Sequence, residues 1–249
     1  AYFNGAFDDF RIYDYALTAA EVVKTMRGDL LRAWNPSPAN GSTRDIEHAT
    51  PLTWSRGDNA AQHAVYFGTD ATAVADANSS DTTGVYRGQQ AGTSYTPAEG
   101  VQWGGGPCFW RVDEINNDGT VTKGRVWSFK VADYLVVDDI ESYNDLPEAD
   151  PASNRIYLKW IDGFSNPTTN GAVVGNLDVP LTERGNTHGG AQAMPLSYEN
   201  NFKFSEATLT LTSGRDWTRE SVVNLSLWFR GAATNAAERM YVAVSSGAG

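Results

Sequence analysis

The chain has 249 residues, enough for one large domain or two to three ordinary ones with proper hydrophobic cores. Its 30 acidic against 19 basic residues leave a formal charge of −11, a field that repels nucleic acid and anionic membrane surfaces and excludes both as expected partners. Cys108 is the single cysteine, which excludes an intrachain disulfide and a multi-cysteine zinc site, and no run of about 18 apolar residues marks a membrane span.

With 24 Gly, 10 Pro and 12% aromatic residues, the composition suits short strands joined by tight turns, hence an all-β chain. Residues 1–29 read as a strand followed by a helix. Ala6 to Tyr13 is aromatic and β-rich, Thr18-Ala19-Ala20-Glu21 is a capping box, and Gly28 ends the helix. One strand and one short helix bury no core by themselves, so this tail is expected to dock on something else, as the end of a domain that is otherwise absent. The chain also starts and stops beside strand-like patterns, at Ala1-Tyr2-Phe3-Asn4-Gly5 and Ala243-Val244-Ser245-Ser246-Gly247, as expected of a fragment of a longer polypeptide. No basic segment followed by an apolar one marks a signal peptide. The phrases Phe3-Asn4-Gly5, Asp8-Asp9-Phe10-Arg11-Ile12-Tyr13 and Ala16-Leu17-Thr18-Ala19-Ala20-Glu21-Val22 resemble the C-terminal end of laminin-G-like, concanavalin-type lectin domains of bacterial surface proteins. The resemblance covers this tail only.

A second module is expected over residues 30–132. Asn35 to Gly41 reads as a Pro/Gly/Ser linker, followed by short β runs at the spacing of about 8–12 residues that a sandwich shows. Strands are predicted over residues 51–54, 64–67, 84–87, 108–112 and 126–131, with Leu52 and Trp54, and Trp127, Phe129 and Val131, on buried faces. Arg56-Gly57-Asp58 spells an adhesion tripeptide but fits a turn without further purpose. Asn116-Asn117-Asp118-Gly119 has the look of a calcium loop, yet position 12 counted from Glu114 is Arg125 in place of a bidentate glutamate, so a hairpin turn is expected. Val65-Tyr66-Phe67-Gly68-Thr69 and Phe109-Trp110-Arg111-Val112-Asp113-Glu114 resemble a fibronectin type III-like module, which implies a spacer. Cys108, where that pattern has tyrosine, and the loose Gly104-Gly105-Gly106-Pro107 depart from it.

The third module is expected over residues 133–249. It opens at Leu135-Val136-Val137-Asp138-Asp139-Ile140-Glu141-Ser142-Tyr143, and strands are predicted over residues 156–160, 193–198, 206–212, 223–229 and 240–244. The Asp-Asp-Ile-Glu opening, the Gly189-Gly190-Ala191-Gln192-Ala193-Met194 turn, and Asp216-Trp217-Thr218 before Leu225-Ser226-Leu227-Trp228-Phe229 resemble jelly-roll modules of the galactose-binding or carbohydrate-binding kind. The fold class is therefore all-β, tandem β-sandwiches behind a strand–helix tail, with the last strands of the jelly roll missing. The resemblance implies a structural calcium on the opening strand, where Asp139 and Glu141 alternate onto one face and offer hard carboxylate oxygens. The alternative is a solvated acidic edge strand that discourages edge-to-edge pairing.

A sugar ring packs its apolar C–H face on an aromatic surface while polar side chains bond its hydroxyls. Alternation groups Ile156, Leu158 and Trp160 as core, and groups Leu225, Leu227 and Phe229 as core, which leaves Trp228 beside Ser226 and Arg230 on the outer face. Trp228 is the sugar-stacking candidate, with Tyr157 and Arg230 beside it if their strands share a sheet; the ordinary alternative is that Trp228 packs against a sheet edge or a neighbouring module. His48, His63 and His188 stand in unrelated contexts with no nucleophile elbow nearby, and nothing marks out one pair of carboxylates among the 30 acids, so no catalytic residues are assigned. The expectation is a non-catalytic segment of a secreted or cell-surface protein that binds a polysaccharide or other glycan. Two alternatives stand beside it: a stalk or self-associating fibre whose incomplete sandwiches complete one another, and an accessory region of a carbohydrate-active enzyme whose catalytic domain lies elsewhere.

Overall fold

β-Branched and aromatic residues gather in short runs between residues 34 and 131, and these pair into two sheets. The computed structural model describes residues 12–212 and 216–245 and divides between Val137 and Asp138 into two compact units. Most of the predicted strand over Ala6 to Tyr13, with Phe3-Asn4-Gly5 before it, lies outside the described residues, as do Ser246 and Gly247.

Helix α1 (Ala19–Arg27) starts at the predicted capping box: the Glu21 amide donates to Thr18 Oγ1 at 3.3 Å, and the Thr18 amide to Glu21 Oε2 at 2.9 Å. Its last residue ties it to the strands that follow. Arg27 lies over the Trp34 ring at 4.7 Å and donates to Asp58 Oδ1 and to the Leu30 carbonyl, each at 2.8 Å.

The strands of the first unit are β1 (Trp34–Ser37), β2 (Ser42–Arg44), β3 (Leu52–Ser55), β4 (Ala60–Gly68), β5 (Tyr86–Gln90), β6 (Ser94–Tyr95), β7 (Cys108–Asn116), β8 (Val121–Thr122) and β9 (Trp127–Val131), with α2 (Ala71–Asp76) after β4. One sheet has the order β1-β3-β6, the other β2-β9-β7-β4-β5 with β8 on β7. All five predicted strands are present. The expected linker from Asn35 is something else: β1 pairs with β3, β2 runs parallel to β9 in the other sheet, and the Pro/Gly stretch is the crossover between them. Asn116-Asn117-Asp118-Gly119 is the hairpin turn, with the Gly119 amide on the Asn116 carbonyl at 2.9 Å and a φ of +81° at Gly119.

Both sheets close over one core of Leu52 and Trp54 from β3, Val65 and Phe67 from β4, Trp110 and Val112 from β7, and Trp127, Phe129 and Val131 from β9. The opposite face of β4 and β7 is buried as well: Ala64 and Tyr66 meet Val74 of α2, with Phe109 packed alongside. Polar residues of β7 are consequently trapped and must be satisfied inside the protein. Arg111, 1% exposed, donates to the carbonyls of Val74, Ala75 and Ala77 and twice to Asp113, so all five of its N–H groups are used. Glu114 is fully buried, bonds His63 Nδ1 through Oε2, and accepts the Gly57 amide at 2.9 Å through Oε1. A Cβ on Gly57 would stand 2.2 Å from the Leu31 carbonyl oxygen. The Arg-Gly-Asp triplet is thus a packed turn, its aspartate bonded to Arg27.

The second unit is also built of strand pairs, but shorter ones: β10 (Trp160–Ile161) with β13 (Thr208–Leu209), and β11 (Val173–Val174) with β12 (Leu196–Ser197), all antiparallel. Tyr143, Ile156, Val174 and Leu181 form its core. The predicted strand over residues 156–160 is a 3-10 helix at Ile156–Leu158 that enters β10, so Ile156 is buried while Leu158 is 48% exposed, and the expected common face is lost. Residues 223–229 and 240–244, predicted as strands, form no strand among the described residues, and Leu225, Leu227 and Phe229, expected as a core face, are each at least half exposed because no second layer covers them. No helix among the described residues is long and apolar enough to cross a membrane.

Removing the Glu114 carboxylate leaves both His63 and the Gly57 amide without an acceptor in a dry core. Glu114→Ala is expected to lower the stability of the first unit by about 3–5 kcal/mol, whereas Arg56→Ala, on the exposed side of the same turn, stays within about 0.5 kcal/mol of the parent. Urea unfolding followed by tryptophan fluorescence measures both; equal stability of Glu114→Ala and the parent would show that the pair does not hold the turn.

Candidate functional site

Asp139 and Glu141 do not sit on a strand. Residues 138–142 make a turn in which Asp138 Oδ1 accepts the Ile140 amide at 2.8 Å, Asp139 Oδ1 accepts the Glu141 amide at 3.0 Å, and Ile140 takes a φ of +66°. The other oxygen of Asp138 takes the Tyr143 hydroxyl at 2.6 Å and the Trp160 indole N–H at 2.7 Å, which draws the turn onto the core of the unit. Burial pushes the Tyr143 phenol well above its ordinary value of 10.0, and the hydrogen bond to the Asp138 carboxylate raises it further.

The Glu141 carboxylate reaches across to the Gly189-Gly190-Ala191-Gln192 turn. Oε1 accepts the amides of Ala191 and Gln192 at 3.0 Å each, Oε2 also accepts from Ala191 at 3.0 Å, and the Gln192 side chain donates back to the carbonyls of Glu141 and Tyr143. Gly190 has a φ of +67°, and a Cβ there would lie 2.2 Å from Glu141 Oε1. Two phrases noted separately in the sequence, the acidic opening and the double glycine, are therefore halves of one clasp. Among the described residues no group of three or more His, Cys, Asp or Glu stands together as a metal cluster.

The clasp leads directly from the loop that meets Trp228. Glu183 organises that loop by accepting the amides of Gly185 at 2.5 Å and Asn186 at 3.0 Å, bonds that hold its carboxyl below the usual range. Trp228 is 70% exposed and lies parallel to His188, with ring centroids 3.7 Å apart and planes 15° from each other. Arg230 donates to Asn186 Oδ1 at 2.5 Å. One face of the indole is thus covered by imidazole, and the guanidinium is tied to the same loop two residues before His188.

Tyr157 is elsewhere. It is half-buried against the Ile156 cluster, accepts from Arg155 at 2.7 Å and donates to Glu148 at 2.8 Å. The sheet that was to join it to Trp228 is not formed, because residues 223–229 pair with no described strand. The companion of Trp228 is His188 and that of Arg230 is Asn186, both missed in the sequence. The one signal was the polar run Asn186-Thr187-His188, whose side chains have hydrogen-bonding tips on a glycine-flanked loop. The remaining histidines are engaged apart from this site, His63 with Glu114 and His48 with the buried Asp45 at 2.8 Å.

No protein-family model matches the chain, and neither a curated protein nor a solved structure matches it.

Gly190→Ala is expected to destabilise the second unit by more than about 1 kcal/mol, from the positive φ and from expulsion of the Glu141 carboxylate. Because Glu141→Ala removes the same clasp, a double-mutant cycle in thermal unfolding should be non-additive, and additive losses would dissociate the two residues. Tyr143 supplies a pH test. Its folded pKa is raised, so its contribution is fully present below about 10 and is lost as the unfolded chain ionises above that pH. Stability should fall with rising pH in that window and less steeply in Tyr143→Phe; identical slopes in urea titrations would contradict the assignment.

Proposed function

We propose that this chain is a non-catalytic, modular segment of an exported or cell-surface protein, in which a fibronectin type III-like unit spaces a galactose-binding or jelly-roll-like unit that holds a polysaccharide. The observation that carries the reading is the exposed, stacked Trp228. A large indole left 70% exposed while one of its faces rests on His188 presents the other face as a flat apolar surface, and Arg230, two residues on, is tied to Asn186 of the same loop as a polar group for hydroxyls. The resemblances in the tail and in the third module point to the same ligand class. The spacer assignment is supported by the first unit, where a three-stranded sheet faces a six-stranded one across a tryptophan-rich core.

A structural calcium belongs to the same reading. Asp139 and Glu141 would supply the hard carboxylate oxygens that calcium takes, with Glu141 exchanging its amide donors of the Gly189–Gln192 turn for the cation. Bound there, the cation neutralises the acidic opening.

A second reading, self-association into a stalk or fibre, is favoured by one specific observation. Leu225, Leu227, Phe229, Tyr241, Val242 and Val244 are each at least half exposed on segments without a strand partner among the described residues, the kind of surface that strand addition from another copy covers.

Affinity electrophoresis against a panel of soluble polysaccharides, with and without chelator, tests the proposal. The parent is expected to be retarded, Trp228→Ala to bind at least about tenfold more weakly, and chelator to lower the melting temperature of the second unit. Binding by Trp228→Ala equal to the parent overturns the platform. Light scattering that shows oligomers and no polysaccharide binding favours the fibre.

A further inference from the structure

We infer that the second unit carries another sugar site, a cleft between the Gly163–Ala172 loop and the Glu199–Lys203 segment that takes one neutral pyranose ring of a polysaccharide. The inference rests on the reading that this chain binds glycan, but on residues separate from Trp228.

The cleft has a volume of about 230 Å³, below the roughly 300–1,000 Å³ of pockets that enclose drug-sized ligands, and so suits a single small ring. Its walls approach each other closely at two glycines. A Cβ on Gly163 would lie 2.0 Å from the Asn170 carbonyl oxygen, and one on Gly171 would lie 2.0 Å from the Glu199 carbonyl oxygen. The two segments are drawn together by the Glu199 amide on the Gly171 carbonyl at 3.1 Å and the Gly171 amide on the Phe204 carbonyl at 2.7 Å.

Two features of the wall define the ligand. Phe164 is 67% exposed at the rim, held there by its amide on Asp162 Oδ1 at 2.9 Å, and offers an aromatic surface to an apolar C–H face. Lys203 is pinned with its side chain 12% exposed: its ammonium donates to the Pro167 carbonyl at 2.7 Å and to Glu199 Oε2 at 2.8 Å, which uses two of its three N–H groups. The Glu199 side chain is 64% exposed and accepts from Lys203 through Oε2, so that among the described residues Oε1 is left to face another donor. An ammonium donor fixed next to a carboxylate acceptor matches two adjacent hydroxyl groups, one accepting and the next donating. A phosphate or carboxylate ligand meets Glu199 and a chain of net charge −11, and a purely apolar ligand leaves the Lys203–Glu199 pair desolvated without compensation. A ring with one apolar face and vicinal hydroxyls satisfies all three groups.

Saturation-transfer NMR on the full chain, with the methyl glycosides of glucose, galactose and mannose and with methyl glucuronide as the anionic control, tests the site. The expected result is transfer to at least one neutral glycoside in the parent and in Trp228→Ala, reduced about tenfold or more in both Phe164→Ala and Glu199→Gln at unchanged melting temperature. Transfer retained by Phe164→Ala and Glu199→Gln but lost in Trp228→Ala overturns this site and leaves the Trp228 platform standing. Absence of transfer from the parent to every glycoside overturns both, and a preference for the glucuronide overturns the assignment of a neutral sugar.

Discussion

A carboxylate that leaves bulk water must be met by N–H or O–H donors, and this constraint shapes both units. In the first, Glu114 and Asp113 enter the interior because β7 is covered on both faces, by the opposing sheet and by α2. Their donors are then dictated: His63 and the Gly57 amide for one, Arg111 and the Gly124 amide for the other. The turn at Gly57 and the end of α2 are where they are because these buried acids and their arginine need partners there. Arg111 also lies over the Tyr66 ring at 4.0 Å, so the charge network and the aromatic packing reinforce each other.

The second unit applies the same rule closer to the surface. Asp138 collects the Ile140 amide, the Tyr143 hydroxyl and the Trp160 indole, and Glu141 collects the amides of Ala191 and Gln192. With strand pairs of only two residues each, little ladder hydrogen bonding holds this unit together, and side-chain-to-backbone clasps carry more of its definition. The loop that presents His188 to Trp228 is one product of that arrangement: Glu183 fixes its start and the Glu141 clasp its end.

Aromatic residues divide between the units by role. Trp54, Trp110 and Trp127 are buried within one cluster of the first unit, where their area fills the space between sheets. In the second unit Trp160 is spent on the core through its indole N–H, while Trp228 and Phe164 stay exposed, each beside polar groups that are already oriented.

Short β-rich runs by themselves marked the five principal strands of the first unit, and period-two alternation determined the burial of Leu52 and Trp54 in β3 and of Trp127, Phe129 and Val131 in β9, because each of these two strands has only one face on the core. Local turn chemistry likewise determined the Thr18 capping box and the Asn116–Gly119 hairpin, which need only residues adjacent in sequence. Tertiary structure decided the rest. Whether Asn35–Gly41 was a linker or a crossover depended on distant β3 and β9, and whether Ile156, Leu158 and Trp160 shared a face depended on how far β13 paired with them. The companions of Trp228 were equally invisible: His188 and Trp228 are 40 positions apart, and only a folded loop can set their rings parallel. Alternation specifies which side of a strand a residue occupies; it contains no information about which distant segment arrives to meet it.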